Sequence, residues 1–184
     1  GKRLTGFQTI QKKLYYFRPS TGSMLHFGWV SINGKRYYFH EDGHAQKGLA
    51  TISGERYFFR TDGSMIRSKW VYYWNNWYFA SSKGKIYRNT WHYIDKKRYY
   101  FQPKKDGKAC TYWLKYRGQF YYFNASGVMF KNAQLVSASK HVYLFGANGR
   151  RCSGWCIYRN EKYYIDGEEK LEKWKYLKGA KKIP

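Results

Sequence analysis

Aromatic rings and cations recur side by side along this sequence. Arg36 precedes the pair Tyr37 and Tyr38, and Arg56 and Arg98 precede equivalent aromatic pairs. Aromatic rings can stack on sugar or polyol faces, and guanidinium groups form paired hydrogen bonds with phosphate or carboxylate. The pattern therefore indicates non-covalent binding of a carbohydrate or an anion rather than the making and breaking of bonds.

Groups that could support catalysis are sparse. The eleven acidic residues lie mostly in or beside predicted turns, and four of them crowd between Asp166 and Glu172. The five histidines lack the spacing of a metal site. No phosphate-cradling glycine loop, nucleophile elbow or dinucleotide fingerprint is present. We therefore predict no catalytic activity, no metal and no cofactor for this segment.

An internal repeat determines which elements position the rings. A tyrosine-tyrosine-phenylalanine tripeptide, or a near copy, recurs at steps of 20 or 22 residues. Its copies begin at Tyr15, Tyr37, Tyr57, Trp77, Tyr99, Tyr121, Tyr143 and Tyr163. An aromatic residue or leucine stands eight residues before most copies, and seven before the fourth. These markers are Phe7, Trp29, Leu49, Trp70, Trp91, Trp113, Leu135 and Trp155. So regular a period indicates an array of short units.

Turn residues divide each unit into two strands. The turn pairs between marker and tripeptide include Asn33-Gly34, Ser53-Gly54, Asn75-Asn76 and Arg117-Gly118. A second turn, such as Asp42-Gly43, follows the tripeptide. Because a lone hairpin is marginal in water, each unit must bury a face against its neighbours. We predict an all-β fold, a β-solenoid of about eight stacked β-hairpins of 20–22 residues. It would be one body over residues 1–184 with a cap at residues 168–184.

Strand alternation sorts the tripeptide onto two faces. The third position is always Phe or Ile, which predicts a dry interior shared with the first position. The middle position, together with the residue before the tripeptide, is predicted to point outward. The expected outer face therefore places rings such as Tyr38, Tyr100 and Tyr122 beside cations such as Arg36 and Arg98.

The charge of the chain suggests a partner. Lysine and arginine number 35 against 11 acids, a formal net charge of +24, and 22% of residues are aromatic. Such a charge repels itself unless it is spread along an extended body or met by an anion. A polyanionic ligand and a simple solubilising role both remain open. Binding to a polyanion should weaken with salt if counterions are released.

Three cysteines are present, Cys110, Cys152 and Cys156. No Cys-x-x-Cys occurs, and an odd number leaves at least one thiol outside any disulfide within the chain. We favour inert, partly buried thiols. A disulfide between Cys152 and Cys156, or from Cys110 to either, stays open. The start at Gly1, without methionine, signal peptide or membrane-length apolar run, indicates a piece of a longer protein.

The stretch GWVSINGKRYYFHEDGHAQKG, residues 28–48, resembles a cell-wall-binding repeat of the choline-binding and glucan-binding superfamily. That superfamily includes the C-terminal repetitive oligopeptides of large clostridial toxins, and the pattern covers nearly the whole chain. The resemblance implies a β-solenoid with ligand sites in grooves between consecutive hairpins. It also implies repeats without catalysis, attached to an enzyme, toxin or adhesin that is secreted or held on the surface of a Gram-positive bacterium.

The chain departs from the choline-binding pattern at one position. In choline-binding members a tryptophan normally precedes the tyrosine pair and, with the first-strand tryptophan, cages a quaternary ammonium. Here the position holds Leu14, Arg36, Arg56, Arg98, Phe120, Val142 and Lys162. A cation in the cage wall should repel choline. Trp70 and Trp77 alone keep a choline-like pair.

These observations predict a non-catalytic module that binds an anionic cell-surface polymer, teichoic or lipoteichoic acid. The alternative is a neutral glucan-binding or toxin-type carbohydrate receptor-binding module. Single-stranded nucleic acid and a purely structural spacer are less favoured, and no membrane insertion is expected. The candidate ligand-binding residues are Trp29, Arg36, Tyr38, Arg56, Trp70, Trp77, Tyr78, Trp91, Arg98, Tyr100, Trp113, Tyr122 and Trp155. The first-strand tryptophans could equally serve to pack one repeat against the next.

Overall fold

The fold of the described residues consists of β-strands and turns. The computed structural model describes residues 3–103, 107–138, 142–158 and 161–165. None of these residues forms a helix, so no helix that could cross a membrane occurs among them. The chain divides into two compact units, Gly1–Arg88 and Asn89–Pro184.

Unit 1 contains four antiparallel hairpins among its described residues. They pair β1 (Gly6–Ile10) with β2 (Lys13–Phe17), β3 (Gly28–Ile32) with β4 (Lys35–Phe39), β5 (Gly48–Ile52) with β6 (Glu55–Phe59), and β7 (Lys69–Tyr73) with β8 (Asn76–Ala80). We number them hairpins 1 to 4.

Unit 2 likewise contains four hairpins within the residues that are described, numbered 5 to 8. They pair β9 (Thr90–Ile94) with β10 (Lys97–Phe101), β11 (Tyr112–Tyr116) with β12 (Gln119–Phe123), β13 (Ala133–Val136) with β14 (Val142–Phe145), and β15 (Gly154–Tyr158) with β16 (Glu161–Ile165). The all-β repeat fold is confirmed. One continuous body over residues 1–184 stays a prediction, and the proposed cap at residues 168–184 lies outside the described residues.

Two-residue turns close most of the hairpins. In hairpin 2, Asn33 and Gly34 both have positive φ, 48° and 74°. A turn with two positive φ values matches the right-handed twist of the flanking strands, and asparagine and glycine adopt it at low cost. The Asn-Gly signal in the sequence therefore located this turn.

Hairpin 4 is shifted by one residue from the predicted alignment. Its turn residues are Trp74 and Asn75, with φ of 47° and 56°, one residue earlier than predicted. Tyr78 pairs with Val71, as Tyr37 pairs with Val30 in hairpin 2. Tyr78 is therefore the first residue of its tripeptide, not the middle one as predicted. The register also restores the eight-residue spacing from the marker.

The shift changes which residues of hairpin 4 are equivalent to those of other hairpins. Trp77 now occupies the position that Arg36 has in hairpin 2, and Ala80 occupies that of Phe39. Ala80 is fully buried, as Phe39 is. The turn sets the register, so the resemblance of Trp-Tyr-Phe to the tripeptide was misleading.

The first and third tripeptide positions of hairpins 2, 3, 5 and 6 lie in the interior, as predicted, whereas Trp77, predicted as a first position, is 39% exposed. Phe39, Phe101, Phe123 and Phe145 are 0% exposed. The first-position residue Tyr37 is 4% exposed. Burial of rings this large supplies most of the hydrophobic stabilisation of each hairpin.

Within each unit, the opposite face of a hairpin is an interface with the next hairpin. The ring centroid of Trp29 lies 4.8 Å from that of Tyr57 and 5.8 Å from that of Phe59, both in hairpin 3. In unit 2, Trp91 lies in the same way 5.0 Å from Tyr121 of hairpin 6. A hairpin inside the stack therefore buries both faces.

The prediction that the middle tripeptide residues point outward is wrong for several of them. Phe58, Tyr100 and Leu144 are only 2%, 3% and 2% exposed. Tyr38 and Tyr122 are half-buried. A hairpin with a neighbour on each side has no outer face, so only its edges reach solvent.

Backbone hydrogen bonds within a unit connect a loop to the hairpin one repeat back. The loop after hairpin 3, for example, bonds to hairpin 2. The Met65 N–H donates to the Arg36 carbonyl over 2.7 Å, and the Met129 N–H donates to the Arg98 carbonyl over 2.9 Å. The two arginines are therefore held by their backbone at the rim between hairpins.

In unit 1, ion pairs also connect a loop to the hairpin one repeat back. Lys13 binds Asp42 over 2.9 Å, and Lys35 binds Asp62 over 3.2 Å. Hydrogen bonds from Ser64, with the nearby Lys35, lower the pKa of the Asp62 carboxyl to about 2 from an ordinary 3.8. The same kinds of contact hold the pKa of Asp42 well below its usual range.

The cysteines differ from the favoured prediction of three free thiols. Cys152 and Cys156 form a disulfide, with Cα atoms 5.6 Å apart. Cys110 is a free thiol, 1% exposed, and burial raises its pKa. The sequence alone does not select this pairing. Cys152 and Cys156 can meet across the bend before Trp155, but Cys110 could also reach either of them from a neighbouring turn.

Because Tyr100 is buried, we expect it to contribute to the stability of the fold. Tyr100→Ala should lower the free energy of unfolding by about 3–5 kcal/mol, because a large ring is lost from a filled interior. Tyr93→Ala, on the same hairpin at 68% exposure, should cost less than about 1 kcal/mol. Urea denaturation monitored by circular dichroism compares the two variants. Equal losses would contradict the burial of both faces.

The ion pairs predict acid sensitivity. Because the pKa of Asp62 is lowered on folding, its contribution is present above pH 3.8 and is lost as the pH falls through about 2. Both partners are about half exposed, so the loss should not exceed ~1 kcal/mol. Asp62→Asn should therefore lose less stability than the unmodified chain between pH 4 and pH 2 in urea denaturation. An identical pH dependence would exclude this contribution.

Candidate functional site

The rim between consecutive hairpins brings a tryptophan and an arginine together. The Arg36 guanidinium carbon lies 5.0 Å from the ring centroid of Trp29. In unit 2 that of Arg98 lies 4.6 Å from Trp91 and 5.6 Å from Tyr93. These are cation–π distances, worth about 0.5–2 kcal/mol each depending on exposure.

The strand register explains this pairing. Arg36 lies directly opposite Ser31 on β3, and Trp29 stands two residues before Ser31 on the same strand. Residues two apart on a strand share a face, and diagonal neighbours across a pair are within reach of long side chains. The same register places Arg98 over Trp91 in hairpin 5.

The two arginines differ in burial. Arg36 is exposed, whereas Arg98 is half-buried. The Nε atom of Arg98 is buried without a hydrogen-bond partner among the described residues. Arg36 thus presents its guanidinium to solvent while stacking on a half-buried ring.

A pocket of about 440 Å³ opens beside Arg36 in unit 1. Its lining consists of aromatic, aliphatic and cationic side chains from hairpins 2 and 3 and the loops after hairpins 3 and 4. The lining residues are Trp29, Arg36, Tyr57, Met65, Arg67, Ser82, Lys83 and Lys85. Four of them are cations and none is acidic. The pocket is therefore electrostatically suited to an anion.

Hairpin 6 of unit 2 combines a ring with cations differently. Phe120 stands in the position equivalent to Arg36, and the guanidinium carbon of Arg151 lies 4.5 Å from its ring centroid. Lys115 Nζ approaches the same ring at 5.4 Å. Cations supplied by strand and loop thus take the place of the strand arginine here.

Hairpin 4 carries the most exposed aromatic surface of unit 1 within the described residues. Trp74, Tyr72 and Trp77 are 80%, 57% and 39% exposed. The Trp70 and Trp77 rings are 6.2 Å apart and nearly perpendicular, and Trp77 lies 4.8 Å from Tyr72. The predicted tryptophan pair is therefore assembled, and its edge is open to solvent.

Several predicted site residues serve chiefly as packing. Tyr78 and Tyr100 are buried, and the Tyr100 hydroxyl donates to the Asn89 side chain over 3.1 Å. Tyr38 packs edge-on against Trp29 at 5.3 Å. These three rings pack beneath the rim and contribute little to its accessible surface.

Three further predicted residues, in unit 2, have mixed roles. Tyr122 packs against Trp113 at 5.1 Å, and Trp113 lies 4.9 Å from Tyr143 of the next hairpin while remaining 42% exposed. Trp155 is 52% exposed and lines a cavity of about 630 Å³ beside the Cys152–Cys156 disulfide. Packing between repeats and access to solvent coexist in these tryptophans.

Arg56 of unit 1 is half-buried. Its carbonyl accepts a hydrogen bond from the Ile86 N–H over 2.9 Å. Its marker partner in hairpin 3 is Leu49 rather than tryptophan, so the ring of the other two rims is missing there.

Sequence reasoning missed the cations that the loops supply. Arg67, Lys83 and Lys85 line the pocket but lie outside the tripeptides. One signal could have found Lys83, because it stands immediately before a turn glycine where Asp42 and Asp62 stand in earlier repeats.

Comparison with protein families gives matches along both units. The family model described as a choline-binding repeat matches residues 27–70 and 90–133. A second, described as a putative cell wall binding repeat, matches residues 5–24. Together they match more than half of the chain. No curated protein matches the chain significantly.

Solved structures show the same kind of fold. Choline-binding protein F from Streptococcus pneumoniae, in the presence of a peptidoglycan analogue, is 28% identical with a TM-score of 0.69. The match covers 83% of this chain and 48% of that one. CbpJ from S. pneumoniae TIGR4 is 26% identical with a TM-score of 0.70, over 83% and 49% of the two chains. This chain thus spans about half the length of these relatives.

The choline-binding domain of CbpL from S. pneumoniae supports the fold alone. It is 22% identical with a TM-score of 0.63, and the match covers 96% of this chain and 100% of that domain. The repeat matches and the hairpin architecture lead to one assignment: the chain belongs to the superfamily of choline-binding, cell-wall-binding repeats.

Proposed function

We propose that this chain is a non-catalytic module that binds an anionic polymer of the bacterial cell surface, teichoic or lipoteichoic acid. The observation that carries the proposal is the arginine on the tryptophan at a rim of each unit, Arg36 on Trp29 and Arg98 on Trp91. The family of the repeats and the cell-surface origin of choline-binding relatives support a cell-wall ligand.

A stacked guanidinium suits a phosphate ligand. Stacking engages the faces of the guanidinium, while its N–H donors at the edge stay available for an oxyanion. Arg36 has no carboxylate partner among the described residues of unit 1, so its charge is not neutralised there. A phosphate at the rim would supply the missing anion.

The same arginines disfavour a quaternary ammonium at these two rims. The guanidinium covers a tryptophan face that choline would need, and it carries the same charge as choline. Hairpin 4 differs, because Trp77 replaces the arginine beside Trp70. A choline group on the polymer would therefore bind at hairpin 4 rather than at hairpins 2 and 5.

A neutral glycan is the second candidate ligand. The exposed rings of Tyr72 and Trp74 at the tip of hairpin 4 favour it, since exposed aromatic rings can stack on sugar faces. Binding of this kind would persist in high salt, unlike binding through phosphate.

The setting follows from the ligand. A wall-binding module works as the targeting part of a larger secreted or surface-held protein of a Gram-positive bacterium. Catalysis, if the larger protein has any, would reside in another domain. The modular autolysin LytC from S. pneumoniae has a similar fold over 37% of its own length.

Co-sedimentation with Gram-positive wall sacculi tests the proposal. The chain should bind intact sacculi, bind less as salt increases, and lose most of its binding after teichoic acid extraction. Unchanged binding to extracted sacculi in high salt would overturn the proposal and favour neutral glycan.

A double variant links the result to the rims. Arg36→Gln with Arg98→Gln should weaken binding about tenfold, because charge-assisted hydrogen bonds are lost at two sites. Lys12→Gln with Lys47→Gln removes the same net charge from exposed loop positions and serves as the control. Equal weakening by both pairs would show that only total charge matters.

A further inference from the structure

One loop of unit 1 reverses the charge pattern of the two loops before it. Asp42 and Asp62 stand immediately before a turn glycine, and each pairs with a lysine of an earlier hairpin. In the loop after hairpin 4 that position, before Gly84, holds Lys83. The repeat that elsewhere places an anion here therefore places a cation.

The charge of the residue on the neighbouring strand is reversed too, but that residue does not pair with Lys83. Lys13 and Lys35 begin the second strands of hairpins 1 and 2, whereas Glu55 begins that of hairpin 3. Glu55 pairs instead with Lys85 over 3.0 Å. Lys83 is exposed and has no carboxylate partner among the described residues of unit 1.

Lys83 is part of the lining of the pocket beside Trp29. Gly84 has a φ of 83°, and a Cβ atom there would lie 2.5 Å from the Met65 sulfur. This close approach holds the loop against Met65, which itself lines the pocket. From the other side, Arg67 Nη2 donates to the Gly34 carbonyl over 3.4 Å, which fixes the arginine at the rim.

We infer that this pocket is a phosphate site, formed by Lys83, Arg67 and Arg36, for a phosphate group carried on a polyol or sugar. Trp29 and Tyr57 supply ring surface for the carbon skeleton of the ligand. The inference deepens the proposed function and rests on it, because it locates where a phosphate of the polymer is held.

Electrostatics favours an anion in this space. Arg36, Arg67 and Lys83 have no carboxylate partner among the described residues of unit 1 and share one pocket. Their mutual repulsion falls when an oxyanion binds between them. Arginine and lysine donors can bind several phosphate oxygens at once. The volume of about 440 Å³ leaves room for a polyol or sugar beside the phosphate.

The preceding groove of unit 1 is an internal comparison. There Leu14 takes the place of Arg36 and Asp62 takes the place of Lys83. Asp62 is already paired with Lys35. Of the three cations it retains one, Lys47 in the place of Arg67, and lacks the other two, so we assign no phosphate site to it.

Isothermal titration with poly(glycerol phosphate) tests the assignment, with glycerol as the uncharged control. Lys83→Asp should weaken binding of the polymer at least tenfold, and Arg67→Gln should weaken it about fivefold. Lys83→Asp restores the residue type of the two preceding loops, so the variant should fold. Thermal unfolding of each variant checks this.

Lys47→Asp is the matched control. It makes the same change of net charge at an exposed loop position in the preceding groove, equivalent to that of Arg67. Its affinity for poly(glycerol phosphate) should fall less than threefold. Equal losses in Lys47→Asp and Lys83→Asp, or no loss in Lys83→Asp, would overturn the pocket assignment.

The sacculus experiment separates this inference from the proposed function. If extraction abolishes wall binding but folded Lys83→Asp binds poly(glycerol phosphate) normally, the function stands and the pocket is wrong. If binding to extracted walls is unchanged while Lys83→Asp still loses the polymer selectively, the pocket binds phosphate and the proposed cell-wall ligand is wrong. Selective loss in both experiments supports the two together.

Discussion

The contact on which the structure depends is the aromatic ring of one hairpin against the tripeptide of the next. Trp29 on Tyr57 and Trp91 on Tyr121 are the same contact in the two units. A two-stranded hairpin cannot bury enough apolar surface alone, so it is stabilised by packing against its neighbours. Aromatic residues fill this need because one ring covers a large area at low entropic cost.

Stacking of this kind places a binding surface at the rim of each interface. The first-strand tryptophan is half-buried, so its inner part packs between hairpins while its edge remains accessible. An arginine on the adjacent strand then reaches over that ring, as Arg36 and Arg98 do. Packing and recognition are therefore functions of one side chain. This explains why the sequence left both roles open for the tryptophans.

Departures from the repeat, rather than the repeat itself, distinguish the grooves. Ion pairs such as Lys35 with Asp62 connect successive hairpins and neutralise a lysine of the earlier one. Where Lys83 replaces the turn aspartate, the connection is made by Lys85 with Glu55, and Lys83 has no carboxylate partner in the described part of unit 1. Similar backbones thus present different surfaces, because loop side chains are free to vary while the stacked rings are not.

Most of the hairpins and their buried phenylalanines could be predicted from the amino-acid sequence. The period located the strands, Asn33-Gly34 gave a turn, and a position that excluded polar atoms identified the buried phenylalanines. That the opposite face is an interface could not be predicted, because alternation separates two faces without saying what covers the second. Only the tertiary structure decided the register of hairpin 4 and the setting of Lys83. The register of hairpin 4 follows from its turn, where Trp74 and Asn75 take positive φ although the sequence indicates a turn at Asn75-Asn76. The setting of Lys83 depends on contacts of its loop with Met65 and Glu55, in segments some 20–30 residues earlier, which local spacing does not encode.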